Sequence, residues 1–192
     1  ILTGSNFTSF GTPTIRIKIG GNKANNFYSQ GLFDEVALFD SALSASQITT
    51  IYNSGVPGDI SSLNPDGWWR MGDNDSGSGT TITDQGSGGD DGELYNGPTF
   101  STNVPPPPAW NGNTYSLDFD GTDDYMDVGH SGTLGSFSSW FKPDSTITTS
   151  TGGQYLLNFT TSSSSFSNVG LGSSTGNATN EVLTVNQGDR AY

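Results

Sequence analysis

The 192-residue chain contains no cysteine, so neither disulfide bridges nor thiolate chemistry is available to it. Its one histidine, His130, falls in a Gly/Ser-rich stretch that predicts a loop, and one imidazole cannot assemble a zinc site. No apolar run approaches the roughly 18 residues that a membrane helix needs. Six Lys and Arg against 19 Asp and Glu give a net charge of −13. This balance argues against nucleic acid and anionic membrane surfaces as partners, because phosphate binding needs clustered cations.

The residues that are present favour a folded, loop-rich, all-β chain. Aromatic residues make up 11% of the sequence, enough to fill a core, and glycine is abundant, with 27 residues. Residues 14–19 alternate apolar and polar side chains, which predicts a strand with Ile15, Ile17 and Ile19 inward. Similar segments recur between Gly/Ser/Asn turns and predict an antiparallel β-sandwich of jelly-roll type. They are residues 32–39, 68–71, 115–119, 125–128, 135–142, 155–161, 168–172 and 181–185.

Residues 44–53 predict the one short helix. Ser44 and Gln47 have the spacing of a capping box at its start. Ile48, Ile51 and Tyr52 form a single apolar stripe. A helix this short is not stable alone, so we expect that stripe to dock on a sheet.

Two sets of motifs resemble the LamG-like family, the laminin G or concanavalin A-like jelly rolls. The closing signature of that family is similar to residues 31–36, 43–48 and 52–53. Its opening signature is similar to residues 68–71, 77–81, 91–94 and 119–125. The closing motifs precede the opening ones. The tandem arrangement and the sequence of residues 68–73 also resemble those of virion surface proteins of marine bacteriophages.

This reversed order gives two hypotheses for the domain organisation. Residues 1–57 would be the C-terminal part of one LamG-like domain, residues 58–62 a linker, and residues 63–192 the N-terminal part of a second. Alternatively, residues 1–192 would form one circularly permuted sandwich. The chain opens in the middle of strand-like sequence, so we expect it to be a module of a larger protein.

Four aspartates are candidate ligands for Ca²⁺. The resemblance implies that Asp34 faces a structural calcium ion or caps a neighbouring loop. Asp84, Asp90 and Asp91 lie in a Gly-rich stretch and offer the hard oxygen ligands that Ca²⁺ prefers, although their spacing is not that of an EF-hand. The alternative is that these aspartates only form turns.

The remaining carboxylates predict no catalytic pair. Asp34 and Glu35 are adjacent on a predicted strand and should point to opposite faces. Asp120, Asp123 and Asp124 surround a glycine and favour a tight turn. We therefore expect the chain not to be an enzyme.

Tryptophan supplies the candidate ligand-binding surface. Trp68 and Trp69 should face opposite sides of a strand, one in the core and one partly exposed, and Trp140 should lie in the core. Trp110, after four prolines, and Trp69 are the candidates for stacking on a sugar.

Together these features predict a non-catalytic module on an extracellular or virion surface. Its expected partners are glycans or neighbouring structural subunits, with assembly as a homo-oligomer within a larger structure. The alternative is a purely structural spacer or capsid decoration module without a ligand.

Overall fold

The computed structural model describes residues 15–22, 27–105, 112–130, 134–144, 154–160, 166–172 and 182–188. These residues form an all-β sandwich of antiparallel strands with one α-helix, which confirms the predicted fold class. The strands are β1 (Ile15–Ile19), β2 (Gly21–Asn22), β3 (Phe27–Tyr28), β4 (Gln30–Phe39), β5 (Gly67–Trp69), β6 (Thr81–Ile82), β7 (Gly92–Tyr95), β8 (Thr99–Ser101), β9 (Ser116–Asp120), β10 (Tyr125–His130), β11 (Ser136–Pro143), β12 (Gln154–Thr160), β13 (Phe166–Gly172) and β14 (Val182–Gly188). The helices are α1 (Ala45–Tyr52) and a 3-10 turn at Ser61–Leu63.

The two main sheets are built from both halves of the chain. One sheet has seven strands in the order β14-β13-β12-β1-β10-β7-β6, and the other has the order β11-β4-β9-β8, with β5 also paired to β4. Strands β1 and β4 therefore lie between strands that come later in the sequence. Each sheet therefore combines strands from residues 1–57 and from residues 63–192, and the domain organisation stays a prediction.

The core lies between the two sheets and follows the alternation of the strands. Ile17 and Ile19 are fully buried there, as their spacing predicts. They meet inward side chains of β4, β9 and β10, including Phe33, Phe119 and Val128. Each large apolar side chain buried in this way contributes about 1.5–3 kcal/mol to the free energy of unfolding.

A second, smaller apolar cluster covers the outer face of the five-stranded sheet. Trp68, Ala37, Phe39 and Ile60 are buried in it. Leu43 and Ile51 pack against these side chains from the start of the helix and from α1. The helix therefore docks on the sheet as predicted, and it covers one of the two adjacent tryptophans.

The capping box at the start of α1 is confirmed. The Ser44 side chain accepts from the Gln47 backbone N–H, and the Gln47 side chain accepts from the Ser44 backbone N–H at 2.9 Å. The predicted apolar stripe is wrong at Tyr52, which is 61% exposed. Among the described residues, no helix has the length and apolar character to cross a bilayer.

Candidate functional site

A β-bulge in β4 shapes the candidate site. Along β11, Ser138 and Trp140 lie opposite Ala37 and Asp34, so β4 holds one more residue than β11 over this stretch. Glu35 takes the extra position with a left-handed φ of 46°. The prediction that Asp34 and Glu35 point to opposite faces is therefore wrong. Phe33 and Val36 both enter the core, and the two carboxylates between them lie outside it.

The bulge coincides with a change in the neighbour of β4. Before it, Gln30–Phe33 of β4 pairs with β9, and after it Val36–Leu38 pairs with β5. Arg70, which follows β5, and the residues just before β9 therefore converge on the bulge. This convergence surrounds two acidic side chains with groups that are distant in the sequence.

Glu35 is held in a buried ion-pair network. Its carboxylate accepts from Trp68 Nε1 at 2.6 Å and from Arg70 Nε at 3.1 Å. Arg70 also donates to Asp73 at 2.9 Å, and Asp73 accepts from the backbone N–H groups of residues 114 and 115. Burial raises the pKa of Glu35 to about 7, while Arg70 and Trp68 oppose that rise. Both Glu35 oxygens are thus occupied by structural partners.

Asp34 is the less completely hydrogen-bonded of the two acidic side chains. The side chain is 2% exposed, and its Oδ1 accepts from the Glu35 backbone N–H at 2.8 Å. Its Oδ2 is buried and makes no hydrogen bond of ordinary length with a described residue, although the Asn113 side chain interacts with this carboxyl group. Burial and then the charge of Glu35 raise the pKa of Asp34 to about 8, against the opposing effect of the Asn113 amide. A buried carboxyl group with an incomplete set of hydrogen bonds is costly, which sets Asp34 apart from the fully paired Glu35.

Asp34 lines a cleft of about 490 Å³ beside β11. Trp140, half-buried, lies opposite Asp34 in the paired strands, and Lys142 lies opposite Leu32. The exposed Lys142 donates to the Asn103 side chain at 3.4 Å. The cleft is lined by Leu32, Asp34, Asn103, Val104, Pro105, Ser116, Trp140, Phe141 and Lys142. It combines an aromatic side chain with a few convergent polar groups, which is typical of ligand sites.

The structure does not bring the four predicted calcium ligands together. Asp84 Oδ1 accepts from the Trp68 and Gly86 backbone N–H groups, both at 2.7 Å, and its Oδ2 accepts from the Asp90 N–H at 2.9 Å. Asp91 accepts from the Asp84 N–H at 2.9 Å. These contacts are those of turn-forming aspartates, and Asp34 is at the separate β4 bulge. The four aspartates therefore do not form one shared Ca²⁺ site. Calcium binding by this protein stays a prediction.

One other acidic group has ligand atoms close enough for an ion. Among the described residues, Asp120, Asp123 and Asp124 alone place three acidic or histidine ligand atoms within 4.8 Å of one another. Asp124 accepts from the Asp120 N–H at 3.0 Å, and Asp120 accepts from the Thr122 N–H at 2.7 Å. These hydrogen bonds match the predicted turn.

His130 is not the loop residue that the sequence predicts. It ends β10 and is buried between two aspartates. Its Nδ1 lies 3.1 Å from Asp90 Oδ2, and its Nε2 lies 3.2 Å from Asp66 Oδ2. His130 therefore joins β10 to the loops that precede β5 and β7, and this role has no local sequence signal.

The tryptophan predictions are corrected in part. Trp69 is 0% exposed and donates through Nε1 to the Asp90 carbonyl at 2.9 Å, so it offers no face to a sugar. Trp68 is also buried, because α1 and residues 60–63 cover the outer face. Trp110 lies outside the described residues. Trp140, predicted as core, instead lines the cleft.

Comparison of the chain with protein-family models, with curated proteins and with solved structures finds no match in any of the three. The LamG-like resemblance stays a prediction. The function must be argued from the cleft itself.

Proposed function

We propose that this protein is a non-catalytic β-sandwich module that binds a saccharide in the Asp34 cleft. The observation that carries the proposal is a cleft whose wall contains the half-buried ring of Trp140 and, opposite it in the paired strands, Asp34. A sugar ring presents an apolar C–H face and a rim of hydroxyl groups. An aromatic ring packs against the first, and a carboxyl oxygen accepts from the second.

The size of the cleft supports a ligand of a few sugar units. Its volume, about 490 Å³, lies within the range of roughly 300–1,000 Å³ that small-molecule sites occupy. The side chains of Asn103 and Ser116 add hydrogen-bonding groups to its wall. Hydroxyl-rich ligands need several such groups in fixed positions.

The arrangement of the carboxylates supports a binding role over hydrolysis. Glycoside hydrolysis uses two carboxyl groups, one on each side of the scissile bond. Among the described residues that line the cleft, Asp34 is the only one with a carboxyl group. Its neighbour Glu35 is held by Trp68 and Arg70.

We place the module on an extracellular or virion surface, within a larger assembly. Its net charge of −13 favours solubility in an exposed, solvent-facing position. Glycan binding at such a site would attach the assembly to a cell surface.

The proposal is tested with the 192-residue chain on a panel of polysaccharides and oligosaccharides, followed by calorimetry on each hit. Trp140→Ala is expected to weaken binding at least tenfold, and Trp140→Phe to restore much of it, because the ring is retained. Tyr52→Ala is the matched control, since Tyr52 is an exposed aromatic residue on α1. Lack of binding to every saccharide by the folded chain would refute the proposal and favour the structural spacer.

A further inference from the structure

We infer that the protein carries a second saccharide-binding surface, on the outer face of the seven-stranded sheet and centred on Tyr95. This surface shares no residue with the Asp34 cleft, which is lined by strands of the five-stranded sheet and by residues 103–105. The second surface therefore goes beyond the proposed function, and each site is tested separately.

The centre of the surface is a supported aromatic ring. Leu94 and Met126 lie in the core. Their neighbours Tyr95 on β7 and Tyr125 on β10 therefore point outward, directly opposite each other. The two rings stack with centroids 4.9 Å apart and planes 8° apart, and Lys18 Nζ lies 4.3 Å from the centroid of the Tyr125 ring. Tyr125 is buried by these contacts, whereas Tyr95 is 42% exposed.

The space beside the Tyr95 ring is open. Strand β6 pairs with β7 only at Gly92 and Glu93. The Thr80 carbonyl accepts from the Leu94 N–H at 2.7 Å, so the segment before β6 runs on alongside β7. The next residue of that segment is Gly79, where an added Cβ would meet no heavy atom of the described residues within 4 Å. An exposed ring beside open space offers a face to the C–H side of a sugar.

A row of polar side chains crosses the same face two residues along from Tyr95. Its members, Thr81, Glu93, Asp127 and Lys18, are successive cross-strand partners on β6, β7, β10 and β1. All four are exposed or half-buried. Because neighbouring strands lie about 4.8 Å apart, the row is about 14 Å long. Its hydroxyl, carboxylate and ammonium groups can donate to and accept from the hydroxyl groups of a saccharide that lies across the strands.

The charges of this face favour an uncharged ligand. Arg16 pairs with Asp127 at 3.0 Å, and Lys18 lies opposite Asp127. With Glu93 the face has two cations and two anions, although the whole chain has a net charge of −13. A balanced face has no excess charge with which to attract a strongly charged partner.

The apolar content of the face favours a sugar over a protein partner. Within the described part of the chain, Tyr95 and Tyr52 are the only exposed large hydrophobic residues, and Tyr52 lies on α1. The buried centre of a protein interface contains several apolar or aromatic side chains. A sugar ring needs only one aromatic ring to pack against.

The test is an NMR titration of the 192-residue chain with cellohexaose, laminarihexaose, mannohexaose and xylohexaose, each in turn. We expect the amide signals of residues 93–95 and 125–127 to shift, as a group separate from those of residues 138–142 in the cleft. Tyr95→Ala should weaken the binding reported by the first group by about tenfold and leave the second group unchanged. Trp140→Ala should do the reverse.

Two further variants control for the loss of a side chain. Tyr95→Phe keeps the ring and should keep most of the binding. Tyr52→Ala removes an exposed tyrosine elsewhere and should change neither group. The amide spectrum of each variant also reports whether it is folded.

The second surface is overturned if residues 93–95 and 125–127 respond to none of the four sugars, or respond equally in Tyr95→Ala. It is also overturned if Tyr95→Ala alters only the self-association of the chain, since the face would then be a protein contact. Shifts at the second surface without any in the cleft would instead refute the proposed function and leave the second surface standing.

Discussion

Trp68 and Glu35, which are 33 residues apart, are joined by a buried hydrogen bond of 2.6 Å from the indole Nε1 to Oε2. The bond ties the bulge of β4 to the neighbouring strand β5. Arg70, just beyond β5, donates a hydrogen bond to the other carboxylate oxygen of Glu35. The bulge that positions Asp34 beside the cleft is therefore fixed by a buried network whose members do not line the cleft.

Removing the cation of this network should be strongly destabilising. Arg70→Met leaves the buried Glu35 and the partly buried Asp73 without their counter-ion, and breaking a buried pair typically costs about 3–5 kcal/mol. Chemical denaturation measures the loss. Arg70→Met with Glu35→Gln should recover part of it, because the unpaired charge is then removed.

The matched control for that variant is Arg16→Met. Arg16 pairs with Asp127 at 3.0 Å, but its side chain is 66% exposed, and an exposed pair is worth about 1 kcal/mol or less. Equal losses for the two arginine variants would contradict the network assigned to Glu35.

The two acidic residues at the bulge should make the fold less stable as the pH rises. Their folded pKa values, about 8 for Asp34 and about 7 for Glu35, exceed the ordinary values of 3.8 and 4.5. Between those limits the folded state binds more protons than the unfolded state, so the free energy of unfolding falls with increasing pH. The contribution is fully present below about pH 4 and is lost once the pH passes the folded pKa values.

The variant Asp34→Asn isolates the contribution of Asp34 to this pH dependence. Denaturation at pH 5, 7 and 9 should show a shallower fall in the free energy of unfolding for this variant than for the unmodified chain. The expected difference is at most about 1.4 kcal/mol per pH unit, the limit for one proton. If the free energy of unfolding falls equally with pH for the two proteins, the pKa of Asp34 is not raised in the folded state.

The strands could be predicted from the sequence because alternation is a local property. Ile17 and Ile19 in one segment, and Met126 and Val128 in another, lie at every second position, and both pairs are in the core on strands. The short strands at Gly21–Asn22, Phe27–Tyr28 and Thr99–Ser101 were not predicted. Pieces of two or three residues are too short to establish a period.

The site was harder to predict, since it depends on an interruption of that period. Nothing in an Asp-Glu pair shows that Glu35 will take a left-handed φ and turn both carboxylates the same way. The exposure of Trp140 likewise depends on the bulge and on which residues line the far side of the cleft. The burial of Trp68 depends on where α1 docks, which is a tertiary contact.

The docking of α1 should be sensitive to a charge at Ile51. This side chain packs against the cluster that contains Trp68, so Ile51→Asp is expected to cost about 1–3 kcal/mol through a partly buried, unpaired carboxylate. Tyr52→Asp, at the next position and exposed, should cost less than about 0.5 kcal/mol. Urea denaturation of both variants compares the two faces of the helix, and a similar loss for both would place the buried face elsewhere.

Asp84 is expected to stabilise the loop before β7 without the help of a metal ion. Its two oxygens accept three backbone N–H groups, from Trp68, Gly86 and Asp90. Asp84→Ala leaves those donors unpaired and should cost about 2–4 kcal/mol, since hydrogen bonds to a charged group are worth about 1.5–3 kcal/mol each and water satisfies part of the loss.

Stability measurements with and without calcium distinguish this role from that of a metal ligand. If Asp84 acts as an acceptor for the backbone, the loss for Asp84→Ala is the same in excess calcium and in EDTA, and Asp40→Ala, at an exposed position, changes little in either. A loss that appears only with calcium present would show instead that the carboxylate binds the ion, and that the loop takes another arrangement when it does.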